Sequence, residues 1–161
     1  LVLSTLHTND AVTTIPRLID MAVEPYLVAS TVNLVIAQRL ARLLCPKCKE
    51  EYKLTKEEED DLEMARPDIS RKINKGQKFF RHKGCKECGD SGYKGRIGLY
   101  EIMEITKEMR AIINNEEFSV DDLYKETDKS GLVTLLQDGI NKLTEGLIDI
   151  PELIRVTALN E

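Results

Sequence analysis

Cys45-Pro46-Lys47-Cys48 and Cys85-Lys86-Glu87-Cys88 are the residues of this chain whose type and spacing most clearly imply chemistry. A C-x-x-C step turns two sulfurs toward one point. Two such steps complete the tetrahedron that Zn²⁺ prefers and leave no open position for water. The chemistry is therefore structural, because a closed Cys₄ site ties chain segments together and does not activate a substrate. Three other readings use the same residues: two disulfides, a redox pair, or an iron–sulfur cluster on four thiolates. No signal-peptide pattern is visible to suit the first, and the second calls for only one pair. His82, three residues before Cys85, is a spare ligand that four thiolates leave out of the site.

A second group of reactive side chains surrounds His7. Leu1-Val2-Leu3-Ser4-Thr5-Leu6 is an almost wholly apolar run, followed by His7-Thr8-Asn9-Asp10. Such a run reads as a strand buried on both faces of a parallel sheet, whose carboxyl end is where open α/β sheets bind ligands. An imidazole has a reference pKa of about 6.5, so it can change protonation with little change of environment. The plainer role for His7 is a structural hydrogen bond. Arg39 and Arg42 invite comparison with phosphate-contacting guanidinium groups. For Arg42 the reading adopted is that it faces solvent at the negative end of a helix dipole.

These groups need elements to position them. Val12, Ile15, Leu18 and Ile19 have helical spacing, with Thr13 or Thr14 as cap near Pro16. Glu24-Pro25 opens a second, largely apolar helix that the pattern extends to about Leu43. The 36 residues from Lys49 to Gly84 separate the cysteine pairs. Closing that loop costs about 3 kcal/mol of chain entropy, against about 10–16 kcal/mol from a structural zinc. Within it, Thr55-Lys56-Glu57-Glu58 is a capping box opening an acidic helix that Pro67 ends. The basic half (Arg71, Lys72, Lys75, Lys78, Arg81, Lys83) reads as a solvated face partly paired with that helix. Gly89 and Gly92 suit tight turns whose backbone N–H groups point at sulfur. Residues Arg96 to Ile105 alternate as a strand. Thr106 and Ser119 start two further helices. Apolar stripes over Leu132–Leu147 and Ile150–Ala158, with Pro151 in a first turn, read most simply as the core of a small helical bundle, a partner-binding groove being the alternative that the sequence does not separate from it.

The 161 residues, 42% hydrophobic and 5% aromatic, can form an aliphatic core, in one domain or two small ones. A net charge of −5 opposes nucleic-acid or anionic-membrane binding, and no apolar run approaches a membrane span. Cysteines meant for metal imply a reducing, cytoplasmic compartment. The opening strand has no convincing partner in residues 1–44, so the chain is expected to be the back part of something longer.

Several separated motifs share one likeness. Leu3-Ser4-Thr5-Leu6-His7-Thr8-Asn9-Asp10-Ala11, Arg17-Leu18-Ile19-Asp20-Met21, Gln38-Arg39-Leu40, both cysteine pairs and Gly92-Tyr93-Lys94-Gly95-Arg96-Ile97-Gly98-Leu99-Tyr100-Glu101 resemble, in order, the His-box half of the secretion ATPases. These are the hexameric RecA-like motors of type II secretion and type IV pilus assembly. The resemblance implies an α/β fold in three parts. Residues 1–44 are the C-terminal end of a RecA-like nucleotide-binding domain, 45–92 a tetracysteine zinc lobe, and 93–161 a return strand with a helical C-terminal subdomain. It implies that His7 lies near the ATP γ-phosphate, with Thr5, Thr8 and Arg39 toward nucleotide and Cys45, Cys48, Cys85 and Cys88 on zinc. It implies Mg²⁺ with ATP in the full-length protein, a homo-hexamer, and platform and cytoplasmic-ring proteins as partners at the inner membrane. The tetracysteine lobe points to the assembly or secretion branch rather than to pilus retraction. Two departures stand out. Ala22 occupies a place where the family commonly has Gly. No G-x-x-x-x-G-K-[ST] phosphate loop occurs in the sequence, so ATP hydrolysis by this chain alone is not expected. The alternative function is a non-enzymatic, zinc-dependent protein-interaction module.

Overall fold

The computed structural model describes residues 1–74 and 76–158. Eight helices and four strands alternate among these residues: α1 (Thr14–Asp20), α2 (Pro25–Thr31), β1 (Leu34–Leu44), β2 (Glu50–Tyr52), α3 (Lys56–Ala65), α4 (Pro67–Ser70), β3 (Phe79–Arg81), β4 (Tyr93–Glu104), α5 (Lys107–Ile113), α6 (Val120–Ser130), α7 (Leu135–Thr144) and α8 (Ile150–Thr157). They gather into two compact units. One holds residues 1–38 and 100–134, the other residues 39–99 and 135–158. Among the described residues no helix is long and apolar enough to cross a membrane.

The first unit is an aliphatic core under four short helices. Ala11, Val12 and Ile15 bury the apolar face of α1 against Val28 and Ala29 of α2, Met103 and Ile105, Met109 and Ile113 of α5, and Leu123 of α6. Pro25 takes the first turn of α2, where its missing N–H costs nothing. The Thr106 hydroxyl accepts the Met109 N–H at 3.2 Å and starts α5. Ser119 occupies the start of α6 without a side-chain capping bond. Ala22, just past α1, has φ +63°, the left-handed turn that glycine would ease.

Two expectations in this region fail. Residues 1–8 form no strand, and Leu1, Val2 and Leu3 lie exposed. A strand needs a ladder, and among the described residues the strands pair only as β1 with β4 and β2 with β3. The second helix stops at Thr31, after which Leu34 to Leu44 run as a strand. The run is apolar on both faces, which fits a buried helix and a paired strand equally, and Val35 and Ile36 favour the strand once β4 is there to pair with it.

In the second unit the core comprises Ala41, Leu62, Ile69, Ile73, Phe79, Leu99, Ile140, Leu143, Ile148, Ile150, Leu153 and Val156. β2 and β3 pair antiparallel, Glu50 opposite Arg81 and Tyr52 opposite Phe79. α3 opens with the expected capping box between Thr55 and Glu58. Of the basic half of the spacer, Arg71 approaches Glu63 of α3, while Lys78, Arg81 and Lys83 pair with Glu50 and Glu51 of β2. Lys75 lies outside the described residues. Helix α7 comes so close to its neighbours that a Cβ on Gly139 would sit 2.4 Å from Leu153 Cδ1 and 2.9 Å from Leu99 Cδ2. From Leu135 on the two tail stripes pack in this core, whereas Leu132, α5 and α6 pack in the other.

Candidate metal centre

Two knuckles build the cysteine site. After β1, the Cys45 carbonyl accepts from the N–H groups of Cys48 (3.3 Å) and Lys49 (3.0 Å), which curls the first pair into a turn. A short 3₁₀ turn, Lys86–Cys88, does the same for the second pair, ending at Gly89 with φ +59°. The two knuckles are joined where the Cys45 N–H donates to the Gly92 carbonyl at 2.9 Å. Gly92 is required there twice over: its φ is +75°, and a Cβ would lie 2.5 Å from that of His82.

The four sulfurs converge. All lie within 4.8 Å of one another. Cys45–Cys85 and Cys48–Cys88 are 3.9 Å apart, and Cys85–Cys88 are 3.7 Å apart. No disulfide joins them, and a disulfide would require about 2.05 Å. A tetrahedral ion with metal–sulfur bonds of about 2.3 Å has sulfur–sulfur edges of about 3.8 Å. The donor set and its edges fit one closed four-thiolate ion, and edges this short leave no room for the bridging sulfides of a cluster. The four cysteines can therefore hold a metal ion.

The surroundings prepare the sulfurs unequally. Cys45 is fully buried; the other three are partly exposed. Burial alone would push the Cys88 thiol up. The N–H groups of Cys85 and Gly92, each 3.2 Å from its sulfur, outweigh this and, with Cys85 and Cys48 nearby, bring it down to about 6. Cys48 is pushed up to about 11, first by burial and then by its three neighbouring sulfurs, against a backbone donor from Gly84.

His82 stays out of the sulfur cluster and has another task. Its Nδ1 lies 2.6 Å from Oδ2 of Asp149, a carboxylate with no exposed surface. The Tyr93 hydroxyl donates to the same oxygen at 2.8 Å, and Asp149 Oδ1 caps α8 by accepting the Glu152 N–H at 3.1 Å. Burial and the adjoining Asp149 carboxylate both push the Tyr93 phenol up. One turn on, the equally buried Glu152 carboxylate accepts from Arg42 Nε and Nη2 at 2.9 and 2.6 Å and from Arg155 Nε and Nη2 at 2.9 and 2.6 Å. Arg42 also stacks on Tyr93, 4.1 Å from the ring centroid. It therefore does not serve the end of a helix: it stands on a strand, clamped to a carboxylate 110 positions away. Sequence reasoning missed Asp149 and Glu152, although Asp149-Ile150-Pro151-Glu152 carries the spacing of a capped helix start.

The residues considered for nucleotide sit as follows. Thr5 and His7 are exposed, and Thr8 is half-buried with its hydroxyl 3.0 Å from that of Thr14. Their segment is anchored just downstream: the Ala11 N–H donates to buried Glu101 at 2.8 Å, and Tyr124 donates to Asp10 at 2.8 Å. Arg39 is half-buried on β1.

The Type II/IV secretion system protein family matches residues 1–155, a span that takes in the His7 segment, both knuckles and the α8 start. The chain belongs to this family. Among its relatives in the Type II/IV secretion system protein family, Type II secretion system protein E of Pseudomonas aeruginosa is 41% identical over 157 residues, covering 98% of this chain and 30% of its own length. The type IV pilus assembly ATPase PilB of Myxococcus xanthus is 39% identical over 160 residues, 98% of this chain and 27% of its own length. The type II secretion system ATPase E of Vibrio cholerae is 37% identical over 161 residues, 98% of this chain and 29% of its own length. The chain thus spans less than a third of the length of these relatives.

Proposed function

We propose that this chain is the C-terminal region of a hexameric motor ATPase that powers type IV pilus assembly or type II protein secretion. The observation that carries the reading is the family match, which runs unbroken from the His7 segment through both cysteine knuckles. In this reading residues 1–44 close a RecA-like nucleotide domain, 45–92 form the zinc lobe, and 93–161 return the chain to the body and cap it with helices. In this reading the ion is zinc, supported by four sulfurs within 4.8 Å of one another, three of their edges at 3.7–3.9 Å, which suit a closed tetrahedron. Its role is to staple two loops separated by 36 residues.

Nucleotide would be met by Thr5, His7, Thr8 and Arg39, with ATP supplying the phosphoryl chemistry and Mg²⁺ its charge neutralisation. His7 would offer an imidazole N–H or lone pair to the γ-phosphate, and Thr5 and Thr8 would hold that segment through their hydroxyls. The chain itself carries no phosphate loop. The grip on phosphate would come from other residues of the longer polypeptide, and its partners would be platform and ring proteins at the cytoplasmic face of the inner membrane. A net charge of −5 gives no support to nucleic acid as a partner.

The test is His7→Ala in a longer polypeptide that includes a phosphate loop. ATP turnover should fall while zinc content stays at the parent value. Unchanged turnover removes His7 from the nucleotide site.

A further inference from the structure

A cavity of about 440 Å³ in the second unit is lined by Leu40, Arg42, Arg96 and Arg155. Three guanidinium groups around one cavity repel one another, so the arrangement needs a reason. Part of it is internal: buried Glu152 holds Arg42 and Arg155 side by side through paired N–H bonds, and Arg155 Nη2 also donates to the Leu40 carbonyl at 3.3 Å. That one carboxylate leaves the cluster at a net charge of about +2, because Arg96 is exposed and has no acidic partner among the described residues. Both clamped arginine side chains remain about half exposed, at 48% and 52%. Each has N–H donors that Glu152 does not use. Tyr93 beneath Arg42 and Glu152 beneath both arginines fix their planes in advance.

We propose that this cavity is a binding site for a phosphoryl group carrying at least two negative charges. A second carboxylate would neutralise only half of the surplus, whereas a phosphoryl dianion matches it and offers three oxygens to the N–H donors that remain on the three guanidinium groups. The cavity exceeds a bare phosphate and falls within the range of about 300–1,000 Å³ typical of small-ligand sites. Leu40 gives the organic remainder an apolar wall. The overall charge of −5 makes general attraction of anions unfavourable, so any binding must come from this local cluster. The chemistry could reach the site on a soluble phosphorylated molecule or on a lipid headgroup. The proposal rests on the arginines alone and stands apart from the motor reading.

The full 161-residue chain, zinc-loaded, is titrated calorimetrically with pyrophosphate and with ADP, and is sedimented with phosphatidylcholine vesicles with and without phosphatidic acid. Arg96→Gln is the clean variant, since Arg96 is exposed and holds no ion pair among the described residues. Arg155→Lys keeps the charge and removes the fork. Soluble-ligand binding that weakens about tenfold or more in both variants assigns the site to a soluble molecule. Retention only on phosphatidic acid vesicles, with the same loss in both variants, assigns it to a headgroup. Absence of binding in every arm, or affinity unchanged by Arg96→Gln, overturns the proposal.

Discussion

Replacing Glu152 by Gln removes the charge that holds Arg42 and Arg155, with little change in shape. The Glu152 carboxyl lies at about 2 rather than at the ordinary 4.5: burial pushes it up, and the guanidinium groups of Arg155 and Arg42 and the Arg42 N–H more than reverse that. At about 1.4 kcal/mol per tenfold change in acidity, the difference corresponds to about 3 kcal/mol. The arginines are half exposed, so screening reduces this to about 2 kcal/mol. A folded value below the unfolded one stabilises the protein above pH 4.5, and this stability is lost as pH falls through the folded value. Glu152→Gln should therefore cost about 2 kcal/mol at pH 7, and its gap from the parent should close between about pH 4.5 and 2. Urea unfolding of both proteins across that range measures the gap, and acid loss of metal cancels in the difference. A cost below about 0.5 kcal/mol at pH 7, or a gap that persists at pH 2, would refute the reasoning.

Gly92→Ala forces a methyl onto His82 at φ +75° and should destabilise by roughly 2–4 kcal/mol, with metal content falling in step. Elemental analysis beside thermal unfolding checks both. Ala22→Gly relieves the turn at φ +63° and should raise stability by about 0.5–1 kcal/mol in urea titration. Protein purified without chelator should carry about one zinc per chain. Chelation should abolish amide protection in the knuckles around Cys45–Cys48 and Cys85–Gly92 while α5 and α6, in the other core, keep theirs. Less than half an equivalent of zinc, or equal loss of protection in both cores, would count against the metal assignment.

How far the sequence was legible depended on how local each feature was. The paired cysteines, the capping box at Thr55–Glu58 and the glycines after Cys88 are short-range signals, and each folds as its spacing suggests. The run from Leu34 to Leu44 carries leucine, alanine, glutamine and arginine that suit a helix, and only its pairing with β4 makes it a strand. Leu1 to Leu6 have strand composition without a ladder to join among the described residues. Asp149 meets His82 across 67 positions and Glu152 meets Arg42 across 110, so no window of sequence could show them as pairs. What looked like a spare ligand and a helix-end arginine are the two ends of one buried polar network.

Steady-state ATP hydrolysis by the pure, zinc-loaded 161-residue chain tests the central claim most directly. With His7 present but no phosphate loop in the sequence, release of phosphate should not exceed that of buffer, whatever the metal content. Sustained turnover that follows the protein through purification would contradict it and place the catalytic groups among residues given only structural roles above.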